Sequence, residues 1–108
     1  MATYVVSCID YWASAPVIKI KYAGPERNEA IKVFEHFFKD YTWNPDKERW
    51  YMLPPDIEET LGHNPEFDKV LTYLVRQMDE TGKVEIDSDW DDGEGDYPLY
   101  LQFYKENN

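Results

Sequence analysis

Apolar and polar positions alternate with a period near two at both ends of the chain and recur at helical spacing between them, which predicts a mixed α and β protein. "TYVVSCIDYW" and "PVIKIKYA" are rich in β-branched and aromatic residues. The second sets Val17, Lys19 and Lys21 against Ile18, Ile20 and Tyr22, as a strand does, and the short "ASAP" between the runs suits a hairpin turn. Gly24 and Pro25 then open a helix over 26–40, in which Ile31, Phe34 and Phe38, and Ala30, Phe37 and Tyr41, fall at helical spacing.

"TWNPDK" reads as a loop, because the residue before a proline is biased away from helix. A strand through "ERWYML" is expected next. Pro54 and Pro55 end it and open a short helix at 55–61, stopped by Gly62 in a left-handed conformation. Residues 64–81 support two readings. As a helix, Asn64 caps, Pro65 takes the first position, and Phe67, Val70 or Leu71, Leu74 and Met78 form an apolar stripe over 65–78. As a strand, "KVLTYLV" turns through "DETG" into "KVEIDSDW" as a hairpin. "YPLYLQFY" is the last strand. The expected class is α+β: one domain with a mainly antiparallel sheet, the 26–40 and 55–61 helices, and a third helix at 65–78 on the first reading.

Charge changes the picture most. The chain has 108 residues with 22 acidic and 11 basic side chains, a formal net charge of −11, which repels nucleic-acid phosphates and anionic membrane surfaces. Neither direct nucleic-acid binding nor membrane association is expected. The same field attracts a basic groove in a protein partner and speeds the encounter. Hydrophobic residues at 43% are enough for a core, so the acidity belongs to a folded surface. Cys8 is the only cysteine, which excludes an internal disulfide or a thiolate metal cluster within one chain and fits a reducing cytoplasm. No signal peptide or membrane span is legible.

Glu85, Asp87, Asp89, Asp91, Asp92, Glu94 and Asp96 put seven carboxylates into a stretch without a basic residue, with Trp90 and Tyr97 among them. A calcium loop of the EF-hand type needs glycine after its third acidic ligand and glutamate at its end, where this chain has Asp92 and Pro98. A solvated acidic loop is the plainer reading, and no metal or other cofactor is expected. Carboxylates spread along a surface can also occupy sites built for phosphates, which makes a DNA mimic a second reading.

Enzyme chemistry finds little support. His36 sits among apolar helix residues, where a packed, hydrogen-bonded histidine is the ordinary case, and His63 lies beside a glycine stop. Cys8 lies in a strand pattern, where a buried inert thiol is the ordinary case. No phosphate-cradling glycine loop, HExxH pair or GxSxG elbow occurs.

The segment "MLPPDIEETLGHNPEFD" resembles "MLPxxVEExIGxxPExD" of the phage uracil-DNA glycosylase inhibitors, small acidic proteins that mimic DNA. Met52, Leu53, Pro54, Glu58, Glu59, Gly62, Pro65, Glu66 and Asp68 match, with Ile57 and Leu61 as conservative replacements. Glu48 falls where that family has the acidic residue of its "QESIL" edge strand, although "KERWY" puts Arg49, Trp50 and Tyr51 at its small and aliphatic positions. The resemblance implies a helix-flanked antiparallel sheet whose edge strand enters the enzyme's DNA groove, with Glu48 near the catalytic residues and Asp56 and Glu59 standing in for phosphates. It also implies inhibition by blockade, without turnover. The expected partner is a DNA-binding protein with a basic groove, uracil-DNA glycosylase first. The expected contact residues are Glu48, Arg49, Trp50, Tyr51, Asp56, Glu58 and Glu59, with the 85–96 acids adding long-range attraction. Another nucleic-acid-directed target, as for an anti-CRISPR or antirestriction mimic, and a non-inhibitory acidic interaction domain are the alternatives. The family's sheet has no place for a helix at 64–78 and no counterpart of the first two strands.

Overall fold

The computed structural model describes residues 2–10, 17–51, 53–88 and 99–107. Four strands form one antiparallel sheet: β1 (Ala2–Asp10), β2 (Val17–Gly24), β5 (Lys83–Ser88) and β6 (Leu99–Asn107), in the order β2-β1-β6-β5. A separate two-residue ladder pairs β3 (Trp43–Asn44) with β4 (Arg49–Trp50). Among the described residues three helices, α1 (Arg27–Thr42), α2 (Pro55–Leu61) and α3 (Phe67–Thr81), complete an α+β fold. Among the described residues no helix is long and apolar enough to cross a membrane.

The core lies between one face of the sheet and the helices. Residues four apart on α1, Ala30, Phe34 and Phe38, are fully buried, and α3 buries Phe67, Val70, Leu74 and Met78. They meet Val6, Val84, Ile86, Leu101 and Phe103 from alternate positions of the strands. Burying a large apolar side chain stabilises by about 1.5–3 kcal/mol, so these periodic stripes dominate the energetics. His36, expected to be packed, is exposed and meets the Phe37 ring edge-on with centroids 5.1 Å apart, because it lies off the 30-34-38 stripe. Cys8 is half-buried rather than buried.

Residues 67–81 are helical, which decides between the two readings of this stretch. A strand here would need a partner, but β5 pairs with β6 instead. The helix begins two residues later than expected and Asn64 does not cap it. Asn64 has φ of 50°, Pro65 is buried, and the first helical bonds run from Lys69 and Val70 N–H to the carbonyl of Glu66. Gly82, at φ 83° and ψ 0°, closes α3 by donating to Met78, and its own carbonyl accepts from Lys105 N–H of β6. Gly62 ends α2 at φ 94° and ψ −178°, so it is not in the left-handed helical conformation expected for it.

β2 departs from simple alternation. Val6 pairs with Tyr22 but Ser7 with Ile20, so Lys21 forms a bulge. Beyond it the faces exchange: Tyr22 packs on the core, whereas Ile18 and Ile20 are 67% and 64% exposed on the side away from the helices.

Arg27 and Asp79 tie the start of α1 to the end of α3 by two side-chain hydrogen bonds. The guanidinium bond holds the Asp79 carboxyl below its ordinary range and raises Arg27. A carboxylate with a depressed folded value stabilises fully above its unfolded pKa of about 4 and loses that contribution as pH falls through the folded value. Both side chains are about 40% exposed, so Asp79→Asn is expected to cost less than about 1 kcal/mol at neutral pH. Urea midpoints should show that difference at pH 7 and little of it near about pH 2.

Candidate functional site

The segment 48–68 sorts its side chains by polarity. Pro54, Ile57, Pro65 and Phe67 are buried, while Glu48, Asp56, Glu58, Glu59, Glu66 and Asp68 are all exposed. In α2, Ile57 and Leu61 are four apart and face the core, which turns Asp56 and Glu59, three apart, outward together. Pro55 at the first helical position and acids in the first turn suit the exposed N–H groups and positive end of a helix. Among the described residues, Glu58 is the only one of these six carboxylates with a side-chain hydrogen-bond partner, His63 Nδ1 at 3.2 Å.

The expected strand through "ERWYML" reduces to Arg49–Trp50, and "TWNPDK" is not all loop, since Trp43 and Asn44 form the opposite strand. Asn44 Oδ1 accepts from the backbone N–H of Asp46 and Lys47, a local turn that brings the chain back within four residues. Tyr51 N–H closes the ladder onto the carbonyl of Thr42 at 2.9 Å. Glu48 is therefore the last turn residue, at φ 50°, and not part of an edge strand. A left-handed conformation costs a non-glycine residue about 1–2 kcal/mol. Glu48→Gly is accordingly expected to raise stability by about 0.5–1 kcal/mol in urea unfolding, after the greater chain entropy of glycine is subtracted.

Trp50 is not free to enter a partner. Its indole N–H donates to the carbonyl of Pro65 at 2.8 Å, and its ring lies 4.9 Å from Trp43 and 5.7 Å from both Phe38 and Phe67, between centroids. It clamps the hairpin to the turn before α3. Arg49 and Tyr51, flanking it, are exposed, Tyr51 by 56%.

Between the hairpin and the α2–α3 turn lies a cleft of about 630 Å³. Arg49, Trp50, Tyr51 and Glu58 line it, so four of the expected contact residues share one concavity. Asn44, Lys47, His63 and Asn64 line it too, and none of them is expected at a site from the sequence. Their signal was there only as the turn-forming pairs Asn44-Pro45 and Asn64-Pro65 on either side. Glu48, Asp56 and Glu59 do not line the cleft and lie on the surface outside it.

No protein-family profile, curated protein or solved structure matches the chain. Among the described residues, positions 48–51 and 53–68 lie in the hairpin, α2 and the start of α3, apart from the four-stranded sheet.

The expected acidic loop is in part strand. Glu85 and Asp87 belong to β5, and Glu85 accepts a hydrogen bond from Gln102 Nε2 and pairs with Lys83. Asp89, Asp91, Asp92, Glu94 and Asp96 lie outside the described residues. Among the described residues no group of histidine, cysteine or carboxylate side chains is placed to hold a metal ion.

Proposed function

We infer that this protein inhibits a DNA-handling enzyme by presenting exposed carboxylates to its basic groove. The observation that supports this most is the sorting in 48–68: buried apolar residues fix the backbone while Glu48, Asp56 and Glu59 stand at the surface without ion-pair partners among the described residues. A preformed backbone has little order left to lose on binding, and at −11 overall the encounter with a cationic groove is fast. Uracil-DNA glycosylase is the first target, on the strength of the motif at 52–68. The inhibitor acts by occupancy and performs no chemistry of its own.

α3 favours a second reading of the same acidic face, because it stands where the glycosylase inhibitors have sheet. In that reading the groove belongs to another nucleic-acid-directed enzyme, as for an anti-CRISPR or antirestriction mimic. Uracil excision by a purified glycosylase, titrated with this protein at low and moderate salt, separates the two. Stoichiometric inhibition persisting at moderate salt is expected for the first; no inhibition at either salt removes it.

A further inference from the structure

Within a chain carrying twice as many acids as bases, the cleft beside the hairpin is lined by Lys47 and Arg49, and neither side chain has a hydrogen bond or ion pair among the described residues. The lining holds one carboxylate, Glu58, hydrogen-bonded to His63. Tyr51 offers an exposed side chain in the lining, and Trp50, also in the lining, is held by its bond to Pro65. Glu48 and Asn64, the only non-glycine residues with positive φ among those described, lie at the two turns that frame the cleft. Backbone held in sparsely populated conformations clusters at binding sites, where surrounding contacts over-determine it. The cleft is open to solvent and offers about 630 Å³, so a ligand would be held at its surface by polar contacts and not by enclosure.

We propose that this cleft binds a nucleoside monophosphate, with the phosphate on Arg49 and Lys47 and the base against Tyr51. A guanidinium holds phosphate oxygens in a two-pronged geometry, an ammonium adds a point charge, and an aromatic ring supplies a face for any base. The acids explain why the ligand is a single nucleotide. Asp56 and Glu59 stand exposed on the neighbouring helix and the chain carries −11 overall, so a strand of several phosphates is repelled more than a single phosphate. This site is independent of the inhibitor reading, because the ligand binds without a protein partner.

The test is a titration of the whole protein with AMP, followed by nuclear magnetic resonance at the Arg49 Nε–H, the Trp50 indole N–H and the Tyr51 amide. Saturable shifts at all three are expected, with a dissociation constant on the order of 10⁻⁴ M. Arg49→Gln and Tyr51→Ala, both at exposed positions, should each weaken binding about tenfold or more while leaving the remaining spectrum unchanged. No saturable shift up to about 10 mM AMP overturns the proposal. So does an equal response to inorganic phosphate or to adenosine alone, equal shifts at Lys83 and Lys105, or tighter binding of a single-stranded oligonucleotide than of AMP.

Discussion

Replacing Trp50 with alanine is expected to lower the free energy of unfolding by about 3 kcal/mol, the low end for a large aromatic because the ring is only half-buried. Three losses combine. The rings of Phe38, Trp43 and Phe67 lose a neighbour, a cavity opens between hairpin and helices, and the carbonyl of buried Pro65 loses its donor. Trp50→Phe keeps an aromatic ring while removing the N–H and part of the ring volume, and should cost less than the alanine change, about 1–2 kcal/mol. For a chain of this size the alanine variant should melt roughly 12–20 °C lower. Calorimetry of both variants checks the assignment. An alanine variant with an unchanged midpoint would show that Trp50 does not anchor the hairpin and would return it to the set of partner contacts.

The second large effect concerns the acidic face. Reversing Glu48, Asp56 and Glu59 to lysine adds two charges at each position and takes the net charge from −11 to −5. Each position is exposed, so the fold should persist, and Lys at 48 keeps the same backbone strain as the parent residue. Against an enzyme that the parent protein inhibits, affinity is expected to fall about 100-fold or more at low salt, mainly through slower association. The loss should shrink as salt screens both proteins, since the Debye length falls from about 10 Å at 0.1 M to about 3 Å at 1 M. Unchanged affinity in the triple variant would exclude these three residues as the contact. Glu48→Gly complements this, because it should strengthen the fold while weakening the complex; a fall in both would make Glu48 a structural residue only.

The candidate site was legible in composition more than in geometry. Buried Ile57 and surface-facing Asp56 and Glu59 follow from the spacing of one short helix bounded by Pro55 and Gly62. The joining of Arg49 and Tyr51 to Glu58 and His63 in one cleft does not, because it requires Trp50 to reach Pro65 fifteen residues away. "KERWY" reads equally well as an outward edge strand until that bond turns the indole inward and leaves its neighbours outside.

The same division runs through the whole chain. Sequence alone determined α1, whose Ala30, Ile31, Phe34, Phe37 and Phe38 share one face of a helix but would fall on both faces of a strand, and the two paired strands at the start. It also determined α2 and the last strand, because prolines, glycines and alternating residues act over a few positions. Only the tertiary structure decided residues 67–81, whose apolar stripe suits a helix or a strand until β6 takes β5 as its partner and leaves α3 to cover the sheet. It alone decided the bulge at Lys21 that turns Ile18 and Ile20 outward, the turn that holds Glu48 at positive φ, and the ion pair from Arg27 to Asp79. Local periodicity sets which element forms, because side-chain direction repeats within a few residues. Which partner an element meets, and so which face carries the charge, depends on contacts between residues far apart in the chain, and only folding brings those together.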